Sequence, residues 1–302
     1  MPKHVRFDYF KVYARRNIPE TNRAEERPCD LSVLLQTLKE MEPKSRVFAV
    51  KNDVARLQSI KLNNDKWEMH FIRIRKEHFP LKTNDNGEFG YFDDLTNAEG
   101  FGEEVSALYD PTNSAIMIRR NASSLAPSAI TNYFTRVINE EGYTIFMKPL
   151  VHPSSLELIK QDHLIKSAEI AVADIKNARP RTKKALGSIV AKAQNVKESV
   201  DVVFKISIAQ KGSKKYSKLP IYDDIMDLVS DEKVKRAEVK VKADQDASVE
   251  PYDLLQHRLI DYHSFPDTDI NTESRNILHT TVMGQMQRIY RNRVEQINSV
   301  YE

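Results

Sequence analysis

The stretch 104-EVSALYDPTNSAIMIRRNASSLAPSAITNYF-134 decides how this chain is read. It predicts a short strand, a turn, a second strand ending in two arginines and an asparagine, and then a helix. Asp110, Pro111 and Asn113 are strong turn residues. Pro127 suits the first turn of a helix, where its missing N–H costs nothing. Ile130, Tyr133, Phe134, Val137 and Ile138 follow at helical spacing. The Ile-Arg-Arg-Asn end reads first as a structural corner, in which Asn121 and a serine-rich loop turn the chain into the helix. Arg119 and Arg120 stay candidates for a binding edge.

Working outward, residues 4–13 alternate and predict a strand, with Val5, Phe7 and Tyr9 against Arg6 and Asp8. Asp30 is placed to N-cap a helix with Leu31, Leu34, Leu35 and Leu38 on one stripe. The run 66-KWEMHFIRIRKEHF-79 predicts a long strand, with Trp67, Met69 and Phe71 on one face and His70, Ile72 and Ile74 on the other. The Asn-, Asp- and Gly-rich run 83–102 predicts an exposed loop holding a short hairpin. A further strand, 143–151, leads to His152-Pro153-Ser154-Ser155, where a domain boundary is expected.

Past that point the pattern predicts strands near 163–174, 200–209, 234–243 and 258–265, and helices near 181–197 and 219–230. Glu238, Lys240 and Lys242 alternate with Val239 and Val241, which predicts a sheet half open to solvent. The chain closes on a long helical pattern, 272–302, capped by Asn271, with a stripe of Leu278, Val282, Met286, Ile289, Tyr290, Val294, Ile297 and Tyr301. Its far end packs either on a partner chain, as in a homo-oligomer, or across its own domain; both readings stand. The expected fold is α+β. A mixed-sheet domain over 1–151 precedes a second, α/β-type domain over 152–302, which ends in the long helix.

Composition excludes several classes. The balance of 40% hydrophobic and 29% charged residues is that of a globular chain. One cysteine, Cys29, leaves no internal disulfide and no multi-thiolate zinc site. The N-terminal run lacks the apolar core of a signal peptide, and no run approaches the ~18 apolar residues of a membrane span. These features predict a cytoplasmic protein without membrane insertion. No phosphate-cradling glycine loop, HExxH or GxSxG occurs. His257 and His263 sit too far apart along one predicted strand to share a metal. No metal and no cofactor is expected.

One nuclease-like pattern remains. Restriction-type nucleases set an upstream acid before Glu-x-Lys on a strand, where the carboxylates hold Mg²⁺ and the lysine positions water. Glu238-Val239-Lys240 with Asp224 upstream fits the order, yet Asp224 falls in a helical pattern. The competing reading is a solvated sheet face.

Charge is segregated along the chain. Net charge is only +3, but residues 176–218 hold twelve Lys/Arg and two acids, a net of +10. Residues 219–269 hold six Lys/Arg and thirteen acids, a net of −7. Within the basic block, Arg179, Arg181, Lys183 and Lys184 open a predicted helix. Lys211, Lys214, Lys215, Tyr216 and Lys218 form a predicted loop. Such clusters suit phosphate contacts, with Tyr216 placed to stack on a base. The alternative is pairing with the acidic block, within or between chains.

Residues 54–80, 102–121 and 128–134 together resemble an uncharacterised family from bacteria and their phages. The matching residues are Arg56, Leu57, Trp67, Arg73, Arg75, Gly102, Glu103, Glu104, Val105, Leu108, Tyr109, Asp110, Arg120 and Asn121. In that family's pattern, Gly-Glu-Glu-Val belongs to a helix. The resemblance implies a setting of phage–host conflict, in defence or counter-defence. The layout is also similar to that of nucleic-acid-binding subunits of anti-phage systems. The leading expectation is a non-catalytic protein that binds nucleic acid through 176–218. The alternatives are a protein-binding subunit or inhibitor, and a Mg²⁺-dependent nuclease.

Overall fold

A computed structural model describes residues 3–18, 23–50, 53–92, 95–96, 99–151, 164–172, 202–207, 234–242, 250–253, 258–272 and 274–300. The fold is mixed α+β and ends in a long helix. The chain divides into two compact units. The first takes 1–147 together with 260–293, and the second takes 148–259 and 294–302. A single cut near residue 151 therefore misses the return of 260–293 to the first unit.

The first unit is built on a nine-stranded sheet. Its strands are β1 (Lys3–Ile18), β2 (Arg23–Pro28), β3 (Val47–Val50), β4 (Asp53–Asn63), β5 (Lys66–Arg75), β8 (Phe101–Asp110), β9 (Ala115–Arg119), β10 (Tyr143–Pro149) and β15 (Ile260–Phe265). A separate two-stranded hairpin joins β6 (Lys82–Thr83) to β7 (Phe89–Gly90). The main order is β10-β1-β9-β8-β5-β4-β3. β1 is long enough to meet several partners: β15 along 3–8, β9 along 7–11 and β2 along 13–18.

Period-2 alternation gives this sheet two different faces. On the first, Trp67 pairs with Tyr109, Met69 with Ala107 and Phe71 with Val105. These join a buried core with Leu35 and Leu38 of α1 (Ser32–Glu40) and with Ile130, Tyr133 and Phe134 of α2 (Pro127–Ile138). The rings of Phe71 and Tyr133 meet edge-on at 5.4 Å, an arrangement that aligns ring edge with ring face. The Tyr133 hydroxyl donates to the Arg46 carbonyl at 2.7 Å, so a fully buried polar atom is satisfied.

The opening stretch folds as read. β8 runs into the Asp110–Ser114 turn, β9 leaves it, and Pro127 opens α2. The Asp110 carboxylate accepts from the Thr112 N–H at 3.0 Å, and Asn113 Oδ1 accepts from the Ala115 N–H at 3.0 Å. Gly102-Glu103-Glu104-Val105 lies within strand β8, not in a helix. A Cβ at position 102 would stand 3.1 Å from Ile72 Cγ2, a tight approach for a side chain inside the strand.

Periodicity alone leaves the hairpin β4–β5 unread, because it starts a strand only at Lys66. Asn64 and Asp65 both adopt positive φ (49° and 58°), the backbone of a two-residue type I′ turn. The C-terminal helix also starts later than the pattern suggests. It is α3, His279–Ser299. Before it, an Ile270–Ile277 bridge closes a turn, and Asn271 Oδ1 accepts from the Ser274 N–H at 2.8 Å. Asn271 therefore caps this turn and not the helix.

The second unit holds a four-stranded antiparallel sheet, β12 (Val202–Ser207), β11 (Leu164–Val172), β13 (Val234–Lys242) and β14 (Glu250–Asp253), in that order. Ala168, Ile170, Val172, Ala237 and Val239 are buried on one face. The opposite face carries Glu169, Lys205, Arg236, Glu238 and Lys240. The helices predicted near 181–197 and 219–230 lie outside the described residues.

Candidate functional site

The sequence candidates separate sharply. Arg119 is buried at 4% exposure, and its Nη1 reaches Glu104 Oε1 at 3.3 Å. Arg120 gives its N–H to the Arg6 carbonyl at 2.8 Å and its guanidinium to Asp8 at 3.3 Å. Asn121 Nδ2 donates to the Glu104 carbonyl at 3.2 Å and so ties the end of β9 to β8. Both arginines thus serve ion pairs at this corner, Arg119 buried and Arg120 exposed. Arg179, Arg181, Lys183, Lys184, Lys211, Lys214, Lys215, Tyr216 and Lys218, together with Asp224, lie outside the described residues.

Glu238 and Lys240 share the open face of β13. Arg236 bridges Glu169 at 2.9 Å and Glu238 at 3.2 Å, and Lys240 stands 3.7 Å from Glu238. The Glu238 carboxylate thus stands between Arg236 and Lys240 on the open face of the sheet. Among the described residues no group of three or more His, Cys, Asp or Glu is placed to hold a metal. Exposed pairs of this kind contribute little. Glu238→Ala with Lys240→Ala should change stability by less than about 1 kcal/mol; urea titration checks this.

The most concentrated chemistry is a cluster that sequence reasoning missed. It stands on the second face of the large sheet, where α3 begins. Ser106 pairs with His70 across β8–β5, and the Ser106 Oγ and His279 Nδ1 lie 2.8 Å apart and share one hydrogen. The imidazoles of His70 and His279 stack nearly parallel, 4.2 Å between centroids. His70 Nε2 is 3.1 Å from Glu104 Oε2, whose other oxygen receives Arg119. Burial, the facing His70 and the Arg119 charge lower His279 to about 4, against the attraction of Glu104. Burial pushes Glu104 up, but the His70 hydrogen bond and the Arg119 charge outweigh it and hold the carboxyl below its usual range.

A serine within reach of a neutral imidazole is the geometry of an activated nucleophile. Access argues otherwise, since Ser106 is 1% exposed beneath the first turn of α3. The cluster instead fastens the helix to the sheet. No spacing rule marks it, because Ser106 and His279 are 173 residues apart.

The rest of α3 up to Arg293 repeats the theme. Gln287 Nε2 donates to Glu68 at 3.1 Å, and Asn113 Nδ2 donates to the Tyr290 hydroxyl at 3.2 Å. The Arg293 guanidinium and the Tyr9 hydroxyl both meet Asp261, each at 2.7 Å. Val282, Met283, Met286 and Tyr290 are buried within the chain. That part of the apolar stripe is therefore used internally. Leu278, at the head of the predicted stripe, is half exposed. No helix among the described residues is long and apolar enough to cross a membrane.

These features define a mixed α+β protein in which the polar clusters along α3 up to Arg293 fasten that helix to the large sheet. The chain belongs to a family of unknown function, DUF6731, which it matches over residues 1–298. No curated protein matches it.

Proposed function

We propose that this protein is a non-catalytic nucleic-acid-binding component of phage–host conflict, with its contact surface in residues 176–218. The observation that carries the reading is the net charge of +10 packed into 43 residues of a nearly neutral chain. Cations at this density attract a phosphate backbone and release its counterions. The burial of Ser106 favours binding over catalysis at the cluster where α3 begins. The conflict setting rests on the resemblance carried by residues 54–134.

The test is binding to a short duplex and to a single strand across salt. Even two neutralised phosphates imply a roughly 25-fold loss of affinity between about 50 and 300 mM salt. Lys214→Glu with Lys215→Glu should lower both the affinity and the salt slope. Absence of binding at the low-salt end would overturn the reading.

A further inference from the structure

The segment between β5 and β8, residues 76–100, has no part in the fastenings described above. It is nevertheless built. Phe101 meets Phe79 edge-on at 5.0 Å and Phe92 at 4.7 Å. Arg75 lies over the Phe101 ring, and Lys82 over Phe92 at 4.7 Å. At the hairpin tip the Asn84 side chain accepts from the Asn86 and Glu88 N–H groups, each at 3.1 Å, and Gly87 takes φ +84°.

This support holds three large apolar side chains out in water: Phe89 at 69% exposure, Tyr91 at 68% and Leu81 at 51%. Thr83 pairs with Phe89, and the same register carried one step further sets Leu81 opposite Tyr91. All three therefore share one face of the hairpin. In sequence, residues 76–100 carry Glu77, Asp85, Glu88, Asp93, Asp94 and Glu99 against Lys76 and Lys82, a net of −4.

Exposed aromatic rings on an acidic segment recognise cations. The ring faces attract Lys and Arg, and the carboxylates pair with them. A segment of net −4 repels phosphate, which disfavours nucleic acid. A symmetric hairpin-to-hairpin contact would set −4 against −4. The complementary surface on the page is the chain's own basic segment, net +10 over 176–218.

We propose that the Leu81–Phe89–Tyr91 face is a self-association surface that docks the Lys/Arg-rich segment 176–218 of a second copy of this chain. This rests on the same reading of that segment as a contact surface, so nucleic acid and the hairpin compete for it. The contact joins two different surfaces of the chain, so copies associate as concentration rises.

Sedimentation velocity of the nucleic-acid-free full chain tests it. At about 50 mM salt the mean mass should rise above that of the 34.8 kDa monomer with concentration, and it should return to it near 500 mM as the ion pairs are screened. Phe89→Ser with Tyr91→Ser should raise the dissociation constant at least about tenfold. Both positions are open to solvent, so the variant should keep the wild-type circular dichroism. A monomer at every concentration, or association unmoved by this variant, overturns the proposal. The two readings separate cleanly. The same variant should still bind nucleic acid, and self-association without nucleic-acid binding would overturn only the function proposed above.

Discussion

Replacing Tyr290 by alanine should cost the first unit about 3–5 kcal/mol, the range for deleting a fully buried aromatic side chain. Tyr290 is 0% exposed. Its ring lies 6.3 Å from that of Tyr9, Lys66 stands over its face at 5.7 Å, and Asn113 bonds its hydroxyl. Lys66 also neutralises Asp110, itself 1% exposed, at 3.4 Å. The substitution therefore empties a cavity and loosens the Asp110–Ser114 turn beside it. Burial next to Asp110 raises the Tyr290 phenol far above its ordinary value, so it stays neutral. Tyr290→Phe removes only the hydroxyl and should cost about 1 kcal/mol. Urea unfolding followed by Trp67 fluorescence is the measurement, since Trp67 is the single tryptophan and is buried in β5. A loss below about 1 kcal/mol for the alanine variant would show that α3 does not depend on this anchor.

The contrast between anchor and turn shows what the sequence makes legible. The Asp110–Asn113 turn is read from local chemistry, because its side chains bond backbone groups two residues away. The Trp67, Met69 and Phe71 face is read from period 2, because one side of β5 meets the core. Strand β4 was harder. A register shift between Leu57 and Ser59 breaks its alternation, so its polar and apolar residues never settle into one period. The unit boundary was hidden for a different reason. Asp261 meets Tyr9 across 252 residues, and β15 has no local signal that names β1 as its partner. The Ser106–His279 contact has the same character. Its residue types are ordinary, and only the packing of α3 brings them together.

The first face of the sheet is apolar and the second is fastened by polar bonds, so the two should respond differently to acid. His279 is the sensitive point. From β5 it faces His70, from β8 Glu104 and Ser106, and from β9 Arg119. The one carboxylate among them is already shared by His70 and Arg119. A proton on His279 in the native state thus lacks a counter-charge of its own, which fits its depression to about 4 from an ordinary 6.5. The unfolded chain takes that proton as pH falls through about 6.5, whereas the native state resists until about 4. The unfolded state therefore binds more protons across this window, and stability is lost as pH falls from about 6.5 to about 4. Glu104 adds to the loss below its ordinary value near 4.5, where its paired carboxylate must be protonated. The His279 contribution is about 2–3 kcal/mol at the acid end. His279→Gln keeps a hydrogen-bonding side chain but does not titrate. Unfolding free energies of wild type and variant, compared from pH 7 to 4.5, should converge as pH falls. Parallel pH profiles would show that His279 carries no proton linkage, and that the clasp on α3 is indifferent to acid.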